Sequence, residues 1–275
     1  MSTLYIVPTP IGNLEDITLR ALRILREVRL IAAEDTRTTR ILLQHYDITT
    51  PLTAYHEHNK LTKLDAIFDA LTMGDVALVS DAGTPGISDP GAELIAAAVA
   101  RGVRIESLPG ACAAITALVA SGLPTDGFVF VGFPPRKHNA LRDFFLDLAR
   151  ESRTLILYES PNRLTDTLTA LIETLGERPV CVGRELTKFH EELVRGSASD
   201  ALAHFETTAP RGEIVLIVGG APPAAVETWD EARVLGALQK RIDAGEPLSA
   251  AAKAVAAASG WDRKTLYGLA VEKLK

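Results

Sequence analysis

Apolar residues along this chain recur with two periods that alternate. Short β-rich apolar runs predict strands at residues 4–7, 30–33, 52–55, 76–79 and 103–108, and helical patterns fill 18–28, 39–45, 61–71, 89–100 and 111–120. In the first helix, Leu19, Leu22, Leu25 and Val28 are expected on one side. Such alternation predicts a mostly parallel sheet covered on both faces. The rhythm pauses at Ser121-Gly122-Leu123-Pro124, and a second unit follows with strands at 128–133, 155–158, 180–182, 191–195 and 214–218 and helices at 138–150, 163–175 and 198–205. Beyond 221–229 the pattern is entirely helical. The chain is therefore expected to hold an α/β domain at 1–121, a second at 122–222 and a helical tail at 229–275.

The run from Ser80 to Gly91, SDAGTPGISDPG, joins the buried strand 76–79 to a helix. Open α/β sheets bind ligands where strands end in such loops. Glycines 83, 86 and 91 remove β-carbons that would keep a ligand off the backbone, and Pro85 and Pro90 restrict the free loop. Asp81 and Asp89 stand where a phosphate cradle would want Lys and amides, so the loop suits a cationic or hydroxyl-rich ligand. The plainer alternative is a rigid connector in which Asp89 caps the helix.

Other strand ends carry candidates of their own. Pro8 to Thr18 places Gly12 and Asn13 at a strand-to-helix turn, but without the spacing G-x-G-x-x-G or a P-loop. Ala32 to Arg40 ends a strand with Glu34-Asp35 and opens a helix carrying Arg37 and Arg40, which suits hydroxyl or phosphate contacts or simple capping. His56 and His58 lack a third ligand, and no metal is expected. Leu108 to Leu118 enters a helix on small residues that let a planar ring or ribose approach, although close helix packing would select them too. YESPNR, GRELTK and RGEIVLIVGG put polar residues at strand ends of the second unit, and together these ends predict a cleft between domains. No G-x-S-x-G elbow appears.

Composition narrows the reading. The net charge of −6 argues against a protein coated in basic residues. The tail from Asp230 holds eight Lys/Arg against six Asp/Glu, leaving residues 1–229 at −8. Its last two helices, separated by Ser259-Gly260-Trp261 with Asp262 as N-cap, are helix-turn-helix-like; Arg263, Lys264 and Lys273 either contact nucleic acid or lie on a structural cap or dimer contact. Cys112 and Cys181 lie far apart and suggest neither a disulfide framework nor a zinc site. No apolar run reaches the roughly 18 residues of a membrane span, and no signal peptide is evident, so a soluble cytoplasmic protein without membrane contact is expected.

The segments VPTPIGNLEDITLRAL, AAEDTRTTRILL, YHEHN, SDAGTPGISDPG, YESPNR, GRELTK and GEIVLIVGG, in order over almost the whole chain, resemble the ribosomal RNA small-subunit methyltransferase I group of the tetrapyrrole methylase superfamily. The chain departs from that group at Ala111-Cys112 and Lys60. The resemblance implies two α/β domains of the tetrapyrrole methylase type with the cofactor cleft between them, plus a small all-helical appendage. It implies S-adenosylmethionine-dependent methylation of a cytidine ribose 2′-oxygen in 16S rRNA, within the small subunit, by a homodimer. Pro8, Gly12, Asp81, Gly83, Thr84, Pro85, Cys112, Ala113, Tyr158, Glu159, Arg184 and Glu213 would surround the cofactor.

Methyl transfer to a ribose hydroxyl also needs an acceptor for its proton. Glu34, Asp35 and Glu185 are the candidates, and the sequence leaves the choice open. Arg37, Arg136, Lys137, Arg163, Lys188, Arg263 and Lys264 are candidates for RNA phosphates, with Arg184. Two rival readings keep part of this picture: a tetrapyrrole methylase with the same cofactor, and a non-catalytic nucleotide- or RNA-binding regulator.

Overall fold

The computed structural model describes residues 2–56, 60–222 and 229–274, without the side chains of 60–62. Two compact units, Met1–Gly220 and Ala221–Lys275, divide the chain. The connecting segment expected at 221–229 lies mostly outside the described residues.

Five parallel strands open the first unit: β1 (Thr3–Ile6), β2 (Leu30–Ala33), β3 (Leu52–Ala54), β4 (Val76–Val79) and β5 (Arg104–Ser107), in the order β3-β2-β4-β1-β5. Between them run α1 (Leu19–Glu27), α2 (Thr36–His45), α3 (Lys60–Met73) and α4 (Ala92–Ala100), and α5 (Ala113–Ser121) follows β5. Parallel strands covered on both faces need apolar residues on both sides, which explains the unbroken VALV of β4, buried throughout. Ala77 and Val79 pack with Leu22, Leu25 and Leu42 on one face; Val76 and Leu78 pack with Ile67, Leu71 and Leu94 on the other. Helix α1 starts where the Thr18 hydroxyl accepts from Ala21 N, and it buries Ala21, Leu22, Ile24 and Leu25. Leu19, expected on that face, is solvent-exposed in the first turn.

The second sheet differs from the parallel arrangement that the first unit leads one to expect. Its strands are β6 (Phe128–Gly132), β7 (Thr154–Glu159), β8 (Pro179–Arg184), β9 (Glu192–Ser197) and β10 (Ile214–Val218), ordered β6-β7-β10-β8-β9. Only β6 and β7 are parallel; the other pairs run antiparallel. The cause is the connection from Arg184 to Glu192, which holds no helix: a short link can join only antiparallel neighbours. Helices α6 (His138–Asp147), α7 (Leu164–Leu175) and α8 (Ala198–Thr207) cover one face, burying Leu155, Leu157, Val180, Val182, Leu216 and Val218. The opposite face is covered by α5, whose Ala114, Ala117 and Leu118 pack on Ile156, Cys181, Val215 and Ile217. The last helix of the first half thus roofs the sheet of the second, and small residues suit it because close approach leaves little room.

The second unit is a three-helix assembly of α9 (Glu231–Asp243), α10 (Leu248–Ser259) and α11 (Arg263–Lys273). Asp230 and Asp262 cap α9 and α11 by accepting from Arg233 N and Thr265 N. Val234, Leu238, Ala251, Val255, Leu266 and Ala270 form its core. The indole of Trp261 donates to the Trp229 carbonyl at 2.6 Å, closing the turn. No helix among the described residues is long and apolar enough to cross a membrane.

Candidate active site

The Gly/Pro loop leaves β4 and is tied down within five residues. Thr9 and Gly83 exchange backbone hydrogen bonds of 2.9 Å in both directions, and the Thr84 hydroxyl donates to the Ala111 carbonyl at 3.1 Å. Gly83 has φ of +74°, a left-handed conformation that a side chain would strain, and its Cα faces Ile11. Asp89 is not the helix cap: Gly91 occupies that position without a side-chain bond. The carboxyl of Asp89 instead sits in the wall of a cavity of about 340 Å³. Burial, reinforced by the negative charge of Glu34, pushes its pKa up to about 7.

The cavity draws its walls from both halves of the first unit. Ala82, Gly83, Thr84 and Asp89 come from the loop after β4, and Cys112 and Ala113 from the start of α5. From the second half come Phe133, Tyr158, Glu159, Leu186 and the 212–215 stretch. Tyr158 is packed edge-on to Phe130 and near Phe133, with ring centroids 5.0 and 5.6 Å away. Burial raises the Tyr158 phenol to about 12, so at neutral pH it is a neutral donor. Glu159 is fully buried and committed: Ser160 N, at 2.7 Å, and the Thr167 hydroxyl, at 2.6 Å, both donate to it, and Arg163 lies 3.4 Å away. Its role is to brace the wall.

A second brace joins the exit of β8 to the entry of β10. Glu185 N donates to the Glu213 carbonyl, Glu213 N donates to Glu185 Oε1, and Lys188 Nζ donates to both carboxylates. Gly212, with φ of +78°, leaves the space that the Glu185 carboxylate fills; a β-carbon there would collide with Oε1.

Of the residues nominated from the sequence as cofactor contacts, the cavity collects Gly83, Thr84, Cys112, Ala113, Tyr158, Glu159 and Glu213. The others lie elsewhere. Pro8 packs on Gly110, Gly12 faces Leu186 to Lys188, and Pro85 is buried beside the cavity without lining it. Arg184 pairs with Glu192 at 2.8 Å. Asp81 lines a separate small depression with Thr9 and Thr39 and accepts from Asp35 N at 3.0 Å. Reciprocally, Asp81 N donates to Glu34 at 3.3 Å, so these two carboxylates extend the β2–β4 pairing past the strand ends. Ile11, Phe133, Leu186 and Gly212 line the cavity without having been nominated. A lone apolar residue inside the polar run GRELTK was the available signal for Leu186.

The base candidates separate by environment. Burial raises Glu34, with Asp81 and Asp35 adding repulsion, whereas hydrogen bonds from the Arg37 side chain hold Asp35 down at about 2. Asp35 is also the N-cap of α2. The Lys188 ammonium lowers Glu185. Among the basic candidates, Arg136, Lys137, Arg263 and Lys264 are exposed. Arg37 is exposed but paired with Asp35, Lys188 is spent on the brace, and Arg163 donates to the carbonyls of Pro134 and Pro135. His58 lies outside the described residues, and no cluster of metal-ligating side chains occurs among the described residues.

The family model described as Tetrapyrrole (Corrin/Porphyrin) Methylases matches residues 3–202, the span that builds both sheets up to α8. The chain belongs to the tetrapyrrole methylase family. Within that family it is similar to ribosomal RNA small subunit methyltransferase I of a Synechocystis strain, 46% identical over 99% of this chain and 98% of the relative. The proteins of that name from Streptococcus pyogenes serotype M1 and Escherichia coli O157:H7 are 47% and 46% identical, covering 96% and 98% of this chain and 93% and 95% of the relatives. Among solved structures, cobalt precorrin-4 methyltransferase superposes with a TM-score of 0.60 at 18% identity, over 79% of this chain and 94% of the other. Uroporphyrin-III C-methyltransferase from Thermus thermophilus, solved with S-adenyl homocysteine, gives 0.57 at 21%, over 79% and 97%. These structural likenesses speak for the fold. As a member of this tetrapyrrole methylase group the chain is an S-adenosylmethionine-dependent methyltransferase.

Proposed function

We propose that the cavity between the two halves binds S-adenosylmethionine and that the enzyme methylates the 2′-oxygen of a cytidine ribose in small-subunit rRNA, acting as a homodimer. The observation that carries the cofactor half is Asp89: a carboxyl raised to about 7 in a largely apolar wall, in the field of Glu34 and Asp81, suits a ligand with net positive charge. The aromatic wall at Phe133 and Tyr158 suits a planar ring, and the backbone at 82–84 and 212–215 offers polar edges. The RNA half rests on relatives that match 96–99% of the chain, its helical unit included, whereas the solved tetrapyrrole methylases cited above match 79%.

Bound cofactor supplies an electrophilic methyl group on a sulfonium. The protein's part is to align donor with acceptor and keep water out, the entropic share of such catalysis. Glu34 is the proposed base, because burial lifts its proton affinity while Asp35 and Glu185 are held low by cationic partners. Arg37, Arg136 and Lys137 are proposed to hold RNA phosphates near the cleft, and Arg263 and Lys264, exposed in the first turn of α11, to do so from the helical unit.

The direct test transfers labelled methyl from the cofactor to small-subunit rRNA, bare and in assembled particles, followed by nucleoside analysis. Label in 2′-O-methylcytidine is expected. Label in a methylated base, or transfer only to a precorrin-type tetrapyrrole, would overturn the acceptor assignment. Deleting residues 221–275 is expected to cut RNA methylation about tenfold, by loss of the Arg263 and Lys264 phosphate contacts, while calorimetry finds cofactor affinity unchanged. Equal loss of both would make the helical unit structural.

A further inference from the structure

Phe189 is 96% exposed, more than any other large apolar residue among those described. It stands at the tip of the 185–191 connection, which is rigid rather than loose. Glu185 and Thr187 both hold left-handed backbone, with φ of +52° and +67°. Thr187 is pinned twice, its N–H donating to Glu191 at 2.6 Å and its hydroxyl accepting from Asn13 N at 3.1 Å. Leu186 is buried under the connection, and the Glu185–Lys188–Glu213 brace holds it from the side. A large apolar ring is thus held in water on a bonded support, with its faces open to a partner.

The same connection has a cavity on each side. Leu186 and residues 212–215 line the proposed cofactor cavity; Arg184, His190 and Arg211 line a second hollow of about 410 Å³. Glu192 neutralises Arg184, but Arg211 is exposed and forms no ion pair among the described residues. The His190 ring meets Phe189 edge-on with centroids 5.0 Å apart, so the aromatic tip continues into the cationic hollow.

We infer that this ridge is a flanking-nucleotide subsite: Phe189 stacks on an unpaired base next to the target nucleotide, and Arg211 with His190 holds the adjoining phosphate. The inference rests on the RNA reading above and adds where the strand runs once it leaves the methyl donor. An exposed aromatic beside a cation is what single-stranded RNA requires, because every base has a face to stack and every link a negative charge. A planar tetrapyrrole at the donor cavity would have no use for either on the far side of the wall.

The test compares the full-length chain with Phe189→Ala, Phe189→Trp and Arg211→Ala. KM for small-subunit RNA, cofactor affinity by calorimetry, and oligomeric state by light scattering are measured for each. Phe189→Ala is expected to raise the RNA KM roughly 5- to 100-fold, the value of one stacked base, with cofactor affinity and oligomeric state unchanged. Phe189→Trp should keep the wild-type KM. Arg211→Ala should lower the log–log salt slope of RNA binding by about 0.7, one phosphate on a single strand. An unaltered RNA KM in Phe189→Ala overturns the inference. A changed oligomeric state with normal RNA binding assigns the ring to contact between copies and overturns it too, as does an equal loss of cofactor affinity, which would make the ridge only a cavity wall. Failure of the wild-type chain to methylate any RNA is a different result: it removes the RNA reading itself, and this inference with it.

Discussion

Replacing Asp89 with Asn is expected to weaken S-adenosylmethionine binding by about tenfold or more at pH 8, the scale of losing one charge-assisted contact, and to abolish the pH dependence of that binding. In the wild-type protein the carboxyl has a pKa of about 7 without ligand, so it is largely protonated at pH 6 and largely ionised at pH 8. A cationic ligand favours the ionised form, and cofactor affinity should therefore rise between those pH values in the wild type and stay flat in Asp89→Asn. Stability moves the opposite way. A carboxyl whose folded pKa lies above its unfolded value stabilises the fold while protonated, and this contribution is lost as pH climbs from about 4 through 7. The ligand-free Asp89→Asn protein should accordingly melt higher than wild type at pH 8 and bind cofactor less well. Calorimetry and thermal melts across pH 5.5–8.5 check both halves; a wild-type affinity independent of pH would remove Asp89 from the cofactor's charge recognition. Asp81→Ala is expected to have the smaller effect on cofactor, because Asp81 faces a different depression and serves the Asp35 backbone.

Glu159→Ala is expected to be the most damaging single truncation of the cleft wall. The Glu159 side chain is fully buried, and three donors depend on it: Ser160 N, the Thr167 hydroxyl and the Arg163 guanidinium. Removing one partner of a buried network leaves the rest desolvated and unpaired, at about 3 kcal/mol. Arg163 keeps its bonds to the Pro134 and Pro135 carbonyls, so the lower part of the usual range applies. For a unit of this size the loss corresponds to roughly 6–12 °C in melting temperature. Glu159→Gln should lose less, since an amide still accepts from Ser160 N. If Glu159→Ala melts like wild type yet loses cofactor affinity, the carboxylate contacts ligand rather than bracing the wall.

Periodicity alone located every strand of both sheets to within a residue or two, because burial on one or both faces is written locally as apolar runs. Sequence also nominated the strand ends at 80–91, 158–163 and 183–188 as candidate sites from their clustered Gly, Pro and charged residues, and residues of all three segments line the same cavity. Direction of pairing was less legible. The antiparallel hairpin of β8 and β9 turned on a missing helix between Arg184 and Glu192, and β9 alternates poorly because its edge position leaves most of it half in water.

Which carboxylate does what was decided only in three dimensions. Asp35, Asp81, Asp89, Glu159 and Glu185 look alike along the chain: each lies in the segment that follows an apolar run and sits near a basic or hydroxyl residue. Folding makes Asp35 a helix cap, Glu159 a buried brace, Glu185 one end of a clamp and Asp89 an acid of the cavity wall with a raised proton affinity. Those differences come from desolvation and from which neighbour each carboxylate meets once folded: Arg37 for Asp35, Ser160 and Thr167 for Glu159, and Lys188 with the distant Glu213 for Glu185. The local sequence specifies secondary structure through short-range sterics and burial pattern, but the proton affinity of a side chain is a property of its completed surroundings.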